Sequence, residues 1–133
     1  MSSVRFRIDL TPGCSLGPGK VQLLEGIART GSLRRAASEL RMSYRRAWLL
    51  LDEINHSFTE PSTIATVGGA GGGGAILTTF GSELVHRYRT AARRIEAVAR
   101  AEFGPLEPKA RNEPPREGRP ARKKLVRSER RNG

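Results

Sequence analysis

The stretch from Gly31 to Asn55, GSLRRAASELRMSYRRAWLLLDEIN, leaves the chain few folds to choose from. It reads as two short helices joined by a tight turn. Ser32 can cap the first, with Leu33, Ala36, Ala37 and Leu40 facing inward. The alanine pair admits another helix at close range. Arg41 and Met42 make the turn, and Ser43 caps the next helix. Its inward face is Ala47, Leu50 or Leu51, Ile54 and Phe58; Tyr44 and Arg45 open the opposite face, and Trp48 falls between the two. This is the layout of a helix-turn-helix, which presents the first turn of its second helix to base edges in the DNA major groove.

The flanking segments extend that motif. Val4 to Leu10 alternates apolar and polar residues, the signature of a half-buried strand. Thr11 to Pro18 carries two prolines and two glycines and reads as a loop. Val21, Leu24, Ile27 and Ala28 recur at helical spacing between Lys20 and Arg29, and Gly31 stops that first helix. Thr63 to Val67 and Ala75 to Thr78 read as two strands around the glycine run from Gly68 to Gly74, which makes a wing. Thr79 can cap a fourth helix, with Glu83 in its first turn, running to about Phe103. Leu84, Tyr88, Ala91, Ile95 and Val98 form one apolar stripe along it, at alternating spacings of four and three. The stripe runs past the compact domain, so it suggests pairing of two subunits into a homodimer. The expected fold is mainly α with a small β wing: a winged helix-turn-helix over 1–103 with a dimerisation helix over about 79–103. From Gly104-Pro105 onward lie five of the eight prolines and hardly any apolar residues, so 104–133 is expected to be a disordered tail.

Charge narrows the partner. The chain carries a net charge of +11, with 24 Lys plus Arg against 13 Asp plus Glu. From Glu107 to Gly133 there are ten basic and four acidic residues, leaving fourteen and nine for the rest, so body and tail are both basic. Such a balance favours nucleic acid or an anionic surface. No apolar run approaches the ~20 residues that span a bilayer, and the N-terminus has no apolar signal-peptide core, so no membrane partner is expected. Cys14 is the only cysteine, which excludes an internal disulfide and fits a reducing cytoplasm.

Chemistry finds little foothold. His56 and His86 have no cysteine cluster near them, so no metal is expected. Asp52-Glu53 reads as an ordinary solvated pair on a helix. The glycine run matches the letter of a dinucleotide fingerprint, yet six of its seven residues are glycine and a strand, not a helix, follows. No cofactor and no catalysis are expected. Arg34, Arg35, Arg41, Arg45 and Arg46 crowd around one turn and one helix start, and double-stranded DNA is the expected ligand. Ser43, Tyr44, Arg45 and Arg46 are assigned base and phosphate contacts; Ser32, Arg34 and Arg35 approach the backbone; Gly71, Gly72 and Gly73 of the wing approach the minor groove or backbone. The competing reading is a non-regulatory interaction protein, its winged helix binding a protein partner and its tail RNA or an acidic surface.

Several segments go beyond a generic winged helix. Gly17-Pro18-Gly19-Lys20, Gly31-Ser32-Leu33, Ala36-Ala37, Met42 to Trp48 (MSYRRAW) and Gly68 to Thr78 with Gly81 strongly resemble the N-terminal domain of ModE-type molybdate-responsive transcriptional regulators, which is related to the DNA-binding module of LysR-type regulators. The resemblance covers roughly residues 4–103. It implies a bacterial or archaeal winged-helix dimer, joined through the long fourth helix, that binds palindromic operators. Full-length regulators of this type carry C-terminal β-rich domains that bind molybdate. Here Ala110-Arg111-Asn112 echoes the Ser-Ala-Arg-Asn core of the molybdate motif, but a basic, proline-rich segment follows in place of strands. The expectation is a stand-alone DNA-binding version, lacking the molybdate-binding domain and with no molybdate as ligand.

Overall fold

A computed structural model describes residues 3–67 and 73–113. Four α-helices form its body. Helix α1 (Pro18–Thr30) begins with Pro18, whose fixed φ suits a first helical position. It ends at Gly31, in left-handed geometry at φ 70°, whose N–H donates to the Ile27 carbonyl at 2.8 Å. A side chain at Gly31 would strain that turn. Helix α2 (Leu33–Glu39) is capped by Ser32, whose hydroxyl accepts the Arg35 N–H at 3.2 Å. Helix α3 (Tyr44–Ser57) is capped by Ser43, whose hydroxyl accepts the Arg46 N–H at 3.1 Å. Between them Arg41 takes φ 55°, and the Met42 N–H returns to the Ala37 carbonyl at 3.0 Å. That reversal sets the angle between the two helices.

Two hairpins complete the domain. Strands β1 (Ile8–Thr11) and β2 (Cys14–Leu16) pair antiparallel, as do β3 (Thr63–Thr66) and β4 (Gly74–Leu77). The second hairpin is the wing, and the Ala75 N–H ties it to the Gly31 carbonyl at 3.0 Å. Helix α4 (Thr79–Phe103) follows, 25 residues long, hence about 37 Å. The arrangement is a winged helix with a long C-terminal helix.

Helix α1 lies at the centre. Val21 and Leu24 join Leu16, Ile54, Leu84 and Tyr88 in one buried cluster. Leu23 and Ile27 join Ala36, Ala37, Ala47 and Ala75 in another. The alanine pair therefore faces inward as expected, whereas Ala28 is exposed, because the buried face of α1 is centred on Leu23, Leu24 and Ile27. Lys20 is buried at the edge of the core, where its Nζ donates to the Ser15 carbonyl at 3.1 Å and to Glu53 at 3.0 Å. Glu53 is thus not merely solvated: it neutralises a lysine that would otherwise carry a costly unpaired charge.

Several expected boundaries shift. The expected loop from Thr11 to Pro18 contains strand β2, because Cys14 and Leu16 are both buried and pull that segment onto the body. The alternation from Val4 forms a strand only from Ile8, where β1 starts, and β1 itself is exposed throughout. Helix α4 is capped by Thr78 rather than Thr79: the Thr78 hydroxyl accepts the Gly81 N–H at 3.0 Å and donates to the Pro61 carbonyl at 2.7 Å. Glu83 accordingly lies beyond the first turn and pairs with Arg87. Helical geometry does not end at Gly104 either; Gly104 keeps right-handed helical geometry and the chain continues as a 3₁₀ helix, Gly104–Lys109, with Pro105 in its first turn. The rest of the expected tail, 114–133, lies outside the described residues.

The N-terminal segment is fastened to α4 by Tyr88. Its ring stacks on Phe6 at 4.4 Å between centroids, and its hydroxyl donates to the Phe6 carbonyl at 2.6 Å. Burial pushes the Tyr88 phenol above its ordinary 10.0, against a smaller opposing pull from Arg89. The folded state therefore holds this proton more tightly than the unfolded chain does. The contribution is complete below pH 10.0 and is lost as pH rises through the folded value. Tyr88→Phe is expected to lower stability by about 1 kcal/mol at neutral pH and to flatten the alkaline decline, as read by urea denaturation across that range.

Candidate nucleic-acid interface

The two serine caps aim α2 and α3 so that their first turns lie side by side. The Arg34 guanidinium sits over the Tyr44 ring, 4.4 Å from its centroid, a cation–π contact that links the two helix starts. Beside it runs an open groove of about 590 Å³ between α2, α3 and the wing, lined by Ser32, Arg34, Arg35, Tyr44 and Trp48 on the helix side and by Thr63 and Gly73 on the wing side. On the other side of α3, Ser43, Arg45, Arg46 and Leu49 border a shallower depression. The structure thus brings Ser32, Arg34, Arg35, Tyr44 and Gly73 together on one flank of α3, and Ser43, Arg45 and Arg46 on the other. Gly71 and Gly72, assigned to the wing tip, lie outside the described residues.

The charge of this face is open. Some arginines elsewhere are neutralised: Arg7 pairs with Asp9, Arg29 with Glu39, Arg87 with Glu83, and Arg89 grips Glu25 with two hydrogen bonds. The hydrogen bond to Glu39 raises the pKa of Arg29, and that to Glu25 raises that of Arg89. Among the described residues Arg34, Arg35, Arg41, Arg45 and Arg46 make no ion pair, and all five side chains are exposed. Unpaired guanidiniums around a helix start can bind phosphates and can pair with a guanine edge through two hydrogen bonds.

Two residues of this face were not assigned by pattern. Trp48 and Leu49 are each 50% exposed on α3, one turn beyond Tyr44 and Arg45. Helical periodicity left Trp48 between faces, and only the packing of Ala47 and Ile54 into the core settles that it points outward. The wing is held by Asn55, another residue the sequence did not mark. Its side-chain oxygen accepts from the Ser62 N–H at 2.8 Å and the Ser62 hydroxyl at 2.6 Å, which fixes the start of β3.

The apolar stripe of α4 divides in two. Leu84 and Tyr88 are buried in the chain's own core, packed with Val21, Leu24 and Ile54. They are therefore not free to face a second subunit, because α1 covers the first half of the stripe. Ala91 is half-buried, while Ile95 and Val98 are 36% and 65% exposed beyond that cover. Phe103 and the 3₁₀ residue Leu106 extend the exposed apolar surface. No helix among the described residues is long and apolar enough to cross a membrane.

No family model matches the chain. Individual proteins do. The chain is 39% identical over 85 residues to the molybdenum transport protein ModE of Azotobacter vinelandii, covering 64% of this chain and 32% of that protein. It is 37% identical over 71 residues to the DNA-binding transcriptional dual regulator ModE of Escherichia coli K12, 53% of this chain and 27% of that one. It is 41% identical over 76 residues to the molybdenum-pterin-binding protein MopB of Rhodobacter capsulatus, 57% and 28% of the two chains. The matches span 27–32% of the length of these relatives. With the capped tandem helices, the tethered wing and the long following helix, the chain carries a winged helix-turn-helix domain whose sequence is similar to that of ModE proteins.

Proposed function

We propose that this protein is a sequence-specific, DNA-binding transcriptional regulator that reads duplex DNA with the first turns of α3. The observation that carries the reading is the set of exposed arginines without ion pairs, Arg34, Arg35, Arg41, Arg45 and Arg46, gathered around one capped helix start. In this reading Ser43, Tyr44, Arg45 and Arg46 contact bases and phosphates. Ser32, Arg34 and Arg35 hold the backbone on the wing side, and the glycines from Gly71 to Gly73 approach the adjacent groove. Footprinting on genomic fragments tests it. A protected site with two-fold symmetry supports a regulator, whereas sequence-independent binding with a preference for RNA favours the interaction-protein reading.

The palindromic site follows from a homodimer joined through the distal half of α4, with Ala91, Ile95 and Val98 at its seam and Phe103 and Leu106 beside it. An exposed apolar face on a long helix gains from covering itself with a second copy. Ile95→Glu is expected to give a monomer in sedimentation and to weaken operator binding, with half-sites spaced about 34–36 Å apart or at a multiple. Wild-type protein that stays monomeric at micromolar concentration removes the dimer from the proposal.

A further inference from the structure

We propose that Trp48 and Leu49 are specificity-determining contacts of α3 that close on the C5 methyl groups of thymines in the DNA major groove. The proposal rests on the duplex-binding reading above and names the base chemistry that the face selects.

Both side chains are large, apolar and half exposed, at the centre of a face whose margins are cationic. Trp48 borders the wing-side groove with Arg34, Arg35 and Tyr44, and Leu49 borders the opposite depression with Arg45 and Arg46. Exposure of so much apolar surface to water is unfavourable, by about 25 cal/mol per Å². A face of this kind fits a partner that is anionic at its edges and apolar at a few points between them. A DNA major groove has that pattern. Phosphates line its rims, and the thymine methyl is the apolar group that its base edges display. A protein partner would have to offer acidic side chains on both flanks of an apolar ridge only one residue pair wide.

The position along the helix adds a constraint. Arg45 precedes Trp48 by three residues and Leu49 by four, so it sits one turn before both on the outward face of α3 that separates the two flanks. One helical turn rises about 5.4 Å, and successive base pairs are about 3.4 Å apart. A guanine read by Arg45 therefore places the methyl-bearing steps one or two base pairs away. The Trp48 ring also offers its indole N–H, for which the described residues supply no acceptor, to a phosphate or base oxygen.

The test uses the full chain and a duplex that the protein itself enriches from a randomised library. Each thymine of that duplex is replaced in turn by deoxyuridine, which keeps every hydrogen-bonding group and removes only the methyl. Fluorescence anisotropy then gives the affinities. Wild type is expected to lose about fourfold at one or two positions, the worth of one buried methyl. Trp48→Ala and Leu49→Ala are each expected to abolish that loss at one of those positions, while Trp48→Phe keeps it. Since both residues are half exposed, the alanine variants should fold, and circular dichroism checks this. Uracil tolerated at every position overturns the proposal and leaves the regulator reading standing. So does a uracil penalty that persists in both alanine variants, since it then comes from the DNA and not from α3. Failure to enrich any sequence overturns both readings together.

Discussion

Arg45→Ala is expected to weaken binding to the best duplex site by ~1–3 kcal/mol, roughly 5- to 150-fold, and binding to random duplex far less. The size follows from the state of the side chain before DNA arrives. Arg45 is exposed on the first turn of α3 and has no carboxylate partner among the described residues, so binding breaks no existing ion pair. Its helix start is held by the Ser43 cap, which limits the ordering that binding must supply. In the proposed reading, two parallel hydrogen bonds to a guanine edge are lost with the guanidinium, and alanine replaces neither. Titrations on the enriched site and on random duplex, at matched salt, separate the two roles. An equal loss on both DNAs reduces Arg45 to a phosphate contact and moves base reading to its neighbours.

The second large effect concerns stability. Gly81→Ala is expected to destabilise the domain by ~2–5 kcal/mol, the sum of overpacking and disturbed buried hydrogen bonds. A Cβ at Gly81 would lie 2.1 Å from the Ser62 carbonyl oxygen, well inside contact distance, and the obstacle is backbone that cannot swing aside. That same oxygen accepts the Thr78 N–H at 2.9 Å, while Ser62 itself is fully buried and bonded to Asn55. Displacing it loosens the cap of α4 and the root of the wing at once. Gly19→Ala is the matched control. Gly19 lies in α1, its added Cβ meets nothing within 4 Å, and alanine suits a helix better. That variant is expected to be neutral or slightly stabilising. Urea denaturation of the pair measures the contrast, and a Gly81→Ala protein as stable as wild type would show that α4 can shift away from Ser62 without loss.

Which parts of this architecture could be read in advance depends on how local their causes are. Ser32 and Ser43 cap helices because a short hydroxyl side chain satisfies N–H groups two or three residues on, and that needs no tertiary partner. Gly31 ends α1 because a left-handed residue is needed there. The inward faces of α2 and α3 follow from helical periodicity, and the open charge around the turn follows from the density of arginine in a short segment. Candidate interface residues carried by such signals lie where the sequence put them: Ser32, Arg34, Arg35, Ser43, Tyr44, Arg45 and Arg46 are all at the starts of α2 and α3.

Periodicity says which residues share a face but not what covers that face. Leu84, Tyr88, Ile95 and Val98 are equivalent on a helical wheel, yet α1 covers the first two and leaves the last two exposed. The Lys20–Glu53 pair joins residues 33 apart in the chain, a separation at which no local pattern operates. Strand β2 forms in a segment whose prolines and glycines argue for a loop, because burial of Cys14 and Leu16 outweighs local preference. Trp48 faces outward because Ala47 and Ile54 take the inward positions against α1 and α2. The sequence by itself determined the helices, the serine caps of α2 and α3, the wing strands and the basic character of the turn, all products of short-range geometry. The tertiary structure alone decided how the α4 stripe is divided, which charges are neutralised and which apolar residues of α3 stay open, because those depend on what long-range packing places beside each face.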